Sequence, residues 1–321
     1  MSGTETCDVD HVVDPVEPHG ALAPLVAALC KVNGEVGRMV GGCPDRQPLP
    51  SRDTIVEIVE ALRTVLFPGY FGPSDLNEHN LPFHLGSTLD RVRRALKEQV
   101  RRGLCFACEN PGPETRADCD ARAGRITQDF LAQLPDMRRI LATDVLAAYE
   151  GDPAATCPDE AIFCYPGVLA VMNYRVAHEL HRLGVPLIPR MITEHAHSIT
   201  GIDIHPGAVI GERFFIDHGT GVVIGETCTI GKRVRIYQGV TLGAKSFPLD
   251  KDGNPIKGIK RHPDVEDDVI IYSEATILGP VTIGRGSVIG GNVWLPHSVP
   301  PNSRITQALT RHGSFEGGAG I

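Results

Sequence analysis

The sequence predicts an α+β chain: an N-terminal α-helical domain, a three-sided β-solenoid broken by one excursion loop, and a flexible C-terminal tail. Three observations predict it. Between Ile202 and Arg304 an aliphatic residue recurs every six positions, at Ile204, Ile210 and Ile216, at Ile224, Ile230, Ile236 and Leu242, and at Val265, Ile271, Ile277, Ile283, Ile289 and Leu295. Gly often follows, as at Gly211, Gly225, Gly231, Gly284 and Gly290. Before this region, Ile55, Ile58, Val59, Leu62, Val65 and Leu66 keep helical spacing. A period of six suits neither a helix nor an alternating strand. It suits short strands and turns with one inward aliphatic per face, and Gly where the backbone needs positive φ. Three such hexads, roughly 18 residues, close one coil, and each coil must stack on the next to bury its apolar side.

The elements follow in order. Residues 1–50 read as a partly disordered arm with a short helix over Ala21 to Val32. The helical domain spans 51–198. Its first helix starts at Ser51 and stops at Pro68-Gly69, and the second runs from a Ser87 cap to Gly103 with a basic, solvated outer face. Pro111 to Gly124 reads as a loop. Helices follow at about Arg125 to Leu134, Asp136 to Glu150 and Gly167 to Leu183, and Pro186 and Pro189 end that pattern. The solenoid spans 199–304. Its hexad-free segment, 243–264, carries four lysines and reads as a functional excursion loop. Residues 305–321 form the tail.

Composition narrows the function. The chain has 321 residues and a formal net charge of −8, which disfavours nucleic acid or an anionic membrane as a general partner. No stretch has the length of a membrane span, and the start lacks the pattern of a signal peptide, so a cytoplasmic location is expected. Nine cysteines, an odd and scattered set, argue against a disulfide framework. Cys105, Cys108 and Cys119 read either as reduced thiols or as part of a zinc or iron–sulfur site, but no fourth ligand has suitable spacing.

Three polar clusters interrupt the hexads: Asp203-Ile204-His205-Pro206, Asp217-His218-Gly219-Thr220-Gly221 and Lys260-Arg261-His262-Pro263. Asp203 precedes His218 by fifteen residues, three short of a coil, which predicts that both sit at one edge of adjacent coils. A carboxylate beside an imidazole fixes its tautomer and stabilises the imidazolium it becomes. The step from Ile216 to Ile224 is eight residues, so a local bulge is expected to aim His218 outward.

Together with Ile224-Gly225-Glu226-Thr227, Gly239-Val240-Thr241-Leu242-Gly243, Asp152-Pro153-Ala154 and Val299-Pro300-Pro301, these clusters resemble serine O-acetyltransferase, from about Asp144 to Arg304. The resemblance implies a left-handed parallel β-helix of hexapeptide repeats. It also implies an acyltransferase that makes O-acetyl-L-serine from L-serine and acetyl-CoA, in cysteine biosynthesis. It matches His218 to the catalytic base and Asp203 to the residue that orients it. It assigns Asp152, Asp217, Arg261 and His262 to serine, where carboxylates suit the ammonium and Arg the carboxylate. Gly243 and Ala244 would border the pantetheine of acetyl-CoA, with Lys245, Lys257 and Lys260 as candidates for its phosphates. Acetyl-CoA enters as co-substrate, and neither a permanently bound cofactor nor a metal is implied. The family further implies a homotrimer or dimer of trimers with sites between neighbouring solenoids, and L-cysteine as feedback inhibitor. The Gly-rich end at Ile321 resembles the tail by which family members dock into O-acetylserine sulfhydrylase. Two departures stand out: a longer excursion loop, and Ser303 to Gln307 in place of a Pro-Ala-Arg-like segment.

Three alternatives remain at this level. One is an acetyltransferase of this fold acting on homoserine or a sugar. Another is a zinc carbonic anhydrase, which needs three His ligands meeting across a subunit interface and could draw on His205, His218 and His262. The third is a non-catalytic scaffold. His178, His181, His195 and His197 read as structural.

Overall fold

A computed structural model describes residues 22–39, 48–108, 113–246 and 248–307. The first unit ends at Pro48, and within it α1 (Leu22–Met39) is longer than the helix expected there. Residues 1–21 and 40–47 of the expected arm, and the tail beyond residue 307 with Ile321, lie outside the described residues.

The second unit opens with α2 (Arg52–Leu66), whose cap is Ser51: its Oγ accepts from the Thr54 N–H at 3.2 Å. Two corrections follow. Helix α3 runs Leu81–Ala107, so Ser87 is not a cap but lies inside the helix, its hydroxyl donating to the His84 carbonyl at 3.2 Å. The loop expected over 111–124 is largely α4 (Pro113–Ala132). Cys119, Ala123, Ile126 and Phe130 form its buried stripe at helical spacing, and that burial outweighs the polar residues between them. Helices α5 (Leu134–Gly151), α6 (Pro158–Cys164), α7 (Pro166–Arg182) and α8 (Ile188–Thr200) complete the domain. Sequence reading missed α6 and α8. Both carry Pro in the first turn, where its missing N–H costs nothing, so Pro189 starts a helix rather than ending the helical pattern.

Among the described residues, fourteen two- or three-residue strands, β1 (Asp203–Ile204) to β14 (Arg304–Ile305), then wind into three parallel sheets. The first holds β1, β4, β7, β10 and β13; the second β2, β5, β8 and β11; the third β3, β6, β9, β12 and β14. The hexad aliphatics pair in register down each sheet. Ile204, Ile224, Leu242, Ile277 and Leu295 make one buried column; Ile210, Ile230, Val265 and Ile283 make the second. The excursion leaves after β7 (Thr241–Gly243) and returns at β8 (Asp264–Val265), so Gly243 and Asp264 belong to the flanking strands.

The glycines after the aliphatics serve a different purpose from the one expected. The positive-φ corner positions fall instead at residues such as Arg213, Arg233, Asp268 and Asn292. What Gly211 supplies is close approach, since a Cβ there would lie 2.7 Å from the Gly231 carbonyl oxygen one coil away.

A buried ion pair ties the helices to the solenoid. Arg175 of α7 donates to both carboxylate oxygens of Asp144 on α5, at 2.7 and 3.0 Å. It also donates to the carbonyls of Ile210 and Gly211, while Asp144 accepts from the Phe214 N–H. Removing one partner of such a pair typically costs about 3–5 kcal/mol, because the other charge is left buried alone.

Candidate active site

His218 stands at the corner between β3 (Phe215–Ile216) and β4 (Val223–Ile224), between the third and first sheets. Its φ is 55°, and Gly219 and Gly221 follow at 90° and 80°. A Cβ on Gly219 would strike Ile202 and Ile216, so only glycine lets this turn close. The lengthened turn presents the imidazole outward, with 74% of the side chain exposed. The expected bulge is therefore present.

Two carboxylates approach His218. Asp217 Oδ1 lies 3.8 Å from the ring Nδ1. Asp152, the residue that ends α5, accepts from the Ala154 N–H at 2.8 Å and from the Tyr165 hydroxyl at 2.6 Å. The Tyr165 hydroxyl, then that N–H, then attraction to His218 and Arg235 hold Asp152 below the usual carboxylate range. It is an anion at neutral pH, suited to an ammonium group.

Asp203, in β1, begins at the same edge one coil away, as the spacing predicts. Its side chain does not bond to His218. It faces Glu194 and His197 of α8, with ligand atoms of the three within 4.8 Å of one another.

A second cluster occupies a different corner, between the first and second sheets. His262 packs over Gly225, where any Cβ would overlap the ring. Its Nδ1 accepts from the Thr227 N–H at 3.1 Å, which leaves the ring proton on Nε2. Burial, then the Arg261 charge, push His262 down to about 4, so it is neutral at pH 7. The Thr227 hydroxyl accepts from the N–H groups of Arg261 and His262, at 3.0 and 3.2 Å, and fixes the return of the excursion loop. Arg261 pairs with Glu226, which that contact holds below its ordinary range. Each cluster thus offers one half of an amino-acid site: carboxylates and an imidazole at one edge, a guanidinium and an N–H donor at another.

Gly243 pairs with Leu278, and its carbonyl accepts from the Gly279 N–H at 2.9 Å. Ala244 leads out from that edge, and Lys245 is exposed beside Gly279. Lys257 is exposed within the excursion. Lys260 is already engaged, donating to Asp264 Oδ1 at 2.6 Å and to the Thr227 carbonyl at 2.5 Å. It ties the loop down, which leaves Lys245 and Lys257 as the freer cations for an anionic ligand.

Sequence reasoning missed Tyr165, Thr227, Glu226 and Arg235 as parts of these clusters. The hexad Ile224-Gly225-Glu226-Thr227 flags two of them; Tyr165 carries no local signal. Within one chain, His205 lies in the electrostatic neighbourhood of His262 while His218 is at the other corner, so the three histidines of the zinc alternative do not meet inside a single copy. Cys108 and Cys119 sulfurs are 3.7 Å apart, and burial pushes the Cys119 thiol up to about 12, keeping it protonated. His178 bonds to the Pro206 carbonyl at 2.9 Å, a structural role as expected.

Residues 262–297 match a family model described as bacterial transferase hexapeptide (six repeats), and residues 221–247 match one described as hexapeptide repeat of succinyl-transferase. The chain is 55% identical over 276 residues to a plasmid-encoded serine acetyltransferase of Synechococcus elongatus, covering 85% of this chain and 86% of that one. It is 52% identical over 162 residues to the serine acetyltransferase of Mycobacterium tuberculosis, covering 50% and 67%. The crystal structure of Entamoeba histolytica serine acetyltransferase 1 in complex with L-cysteine matches with a TM-score of 0.68 at 35% identity, over 89% of this chain and 100% of that one.

Proposed function

This chain belongs to the serine acetyltransferase family, and from that membership we propose a catalytic site shared between neighbouring copies, in which His218 activates L-serine. The activity is that of an acyltransferase moving acetyl to the serine hydroxyl. His218 takes the hydroxyl proton as the oxygen attacks the thioester carbonyl of acetyl-CoA, because a free hydroxyl is a poor nucleophile at neutral pH. The tetrahedral intermediate collapses and the C–S bond breaks. The imidazolium returns its proton to the departing sulfur, giving O-acetyl-L-serine and CoA.

Asp152 and Asp217 hold the serine ammonium beside that base. Arg261 and the Nε2–H of His262 meet its carboxylate from the adjoining copy. The single observation behind this reading is that the two halves sit at different corners of one solenoid. A threefold assembly would bring one corner of each chain against the other corner of the next. Asp203 orients the imidazolium in this proposal, and the exposed ring has the freedom to turn from Asp217 toward it. Lys245 and Lys257 would meet the CoA phosphates. L-Cysteine, present in the Entamoeba complex, has the same ammonium and carboxylate as serine, so feedback inhibition would act by occupying the serine site.

The test is thiol release from acetyl-CoA with L-serine, homoserine and a sugar panel as acceptors. Release that requires L-serine and falls on adding L-cysteine is expected. Release with another acceptor alone would overturn the serine assignment.

A further inference from the structure

We propose that Glu194, His197 and Asp203 form a divalent-cation site whose filling withdraws Asp203 from His218. The inference rests on the reading of Asp203 as the residue that orients His218. Glu194 and His197 lie at i and i+3 near the end of α8, on one helix face. The left-handed turn at Gly201, φ 71°, then brings β1 and Asp203 alongside them. The three ligand atoms lie within 4.8 Å of one another. His197 Nδ1 is 3.5 Å from Glu194 Oε2. Two ligands of a tetrahedral ion bonded at about 2.0–2.2 Å stand roughly 3.3–3.6 Å apart, so this pair is already spaced for one ion.

The charges point the same way. Arg190 engages Glu194 through Oε1, leaving Oε2 toward His197. Among the described residues, the Asp203 carboxylate has neither a hydrogen-bond donor nor a cationic partner. Arg190 pairs with Glu194 while no cation among those residues faces Asp203, and a dication between them would serve both carboxylates. The carbonyl end of α8 adds partial negative charge. One imidazole and two carboxylates suit zinc, cobalt or manganese, with the remaining position open to water. Glu194 and Asp203 are half-buried and His197 is exposed, so an ion can enter from solvent. Once bound, it holds the Asp203 oxygen that would otherwise stabilise the His218 imidazolium, and acetyl transfer slows.

The experiment titrates Co2+ and Zn2+ into the full-length protein, wild type and the variants His197→Ala and Glu194→Gln, by calorimetry and visible absorption. Neither residue belongs to the serine or acetyl-CoA machinery. The expected result is one ion per chain in the wild type, with affinity at least tenfold weaker in each variant. Zn2+ should inhibit wild-type acetyl transfer, and His197→Ala should need at least tenfold more Zn2+ for the same inhibition while keeping its metal-free rate. Equal affinity in all three proteins would overturn the site. So would a thiolate-to-cobalt charge-transfer band, which would place the ion at cysteines. Binding is read without activity, so a chain that binds the ion at these residues yet lacks serine-dependent transfer would overturn the catalytic reading and leave the site standing.

Discussion

At the scale of single residues, His218 has the exposure and the acidic neighbours that a general base for a hydroxyl needs. Replacing it with Ala should lower turnover by about 10³-fold or more while the assembly stays intact, as read by steady-state kinetics and light scattering. Asp203→Asn and Asp217→Asn separate two roles. Asp203→Asn should lower kcat with little change in the serine KM, and Asp217→Asn should raise that KM; the reverse pattern would exchange the assignments. His262 titrates near pH 4 in the folded chain, against an ordinary value of 6.5. The folded chain therefore binds fewer protons than the unfolded chain between those values, and stability is fully present above the higher one. Thermal midpoints should fall as pH drops from about 6.5 toward 4, and His262→Gln should flatten part of that slope.

At the scale of elements, the coil step is set by what each corner must fit. The corner that carries His218 is two residues longer than the same corner one coil on, since Asp203 pairs with Val223 but Val223 pairs with Thr241. Extra backbone at one corner moves a side chain outward without disturbing the columns. The corner at Gly225 does the opposite and leaves room for the His262 ring. Gly225→Ala should push that ring off Thr227, raise the serine KM at least tenfold and lower the melting temperature by several degrees. An unchanged KM would show that His262 does not need this seat. The helices teach a different lesson. Prolines at 113, 158, 166 and 189 all start helices, although sequence reading took Pro189 as a break. A proline permits a first turn as readily as it ends a last one, and only the packing of the following apolar stripe decides which.

At the scale of the whole molecule, the two half-sites on separate corners make assembly a condition of activity in the proposed mechanism. Co-expressing His218→Ala chains with Arg261→Ala chains should restore serine-dependent transfer that each variant alone lacks. Some interfaces in mixed oligomers would then combine two intact halves. A mixture as inactive as its components would mean that each chain carries a complete site by itself.

The sequence by itself determined the solenoid, its excursion and the residue types of the site. A six-residue period repeats the same packing problem at every coil, so local pattern and global fold coincide. The columns through Ile204, Ile210 and Ile216 could be written down from spacing alone. So could the outward turn at His218. The tertiary structure decided what spacing cannot encode. It placed Tyr165 on Asp152, Thr227 under His262, and Lys260 on Asp264 instead of free. It turned Asp203 toward Glu194 and His197. These contacts join groups far apart in the chain or on opposite sides of a turn, and side-chain direction there follows from packing between helices and coils rather than from any repeat.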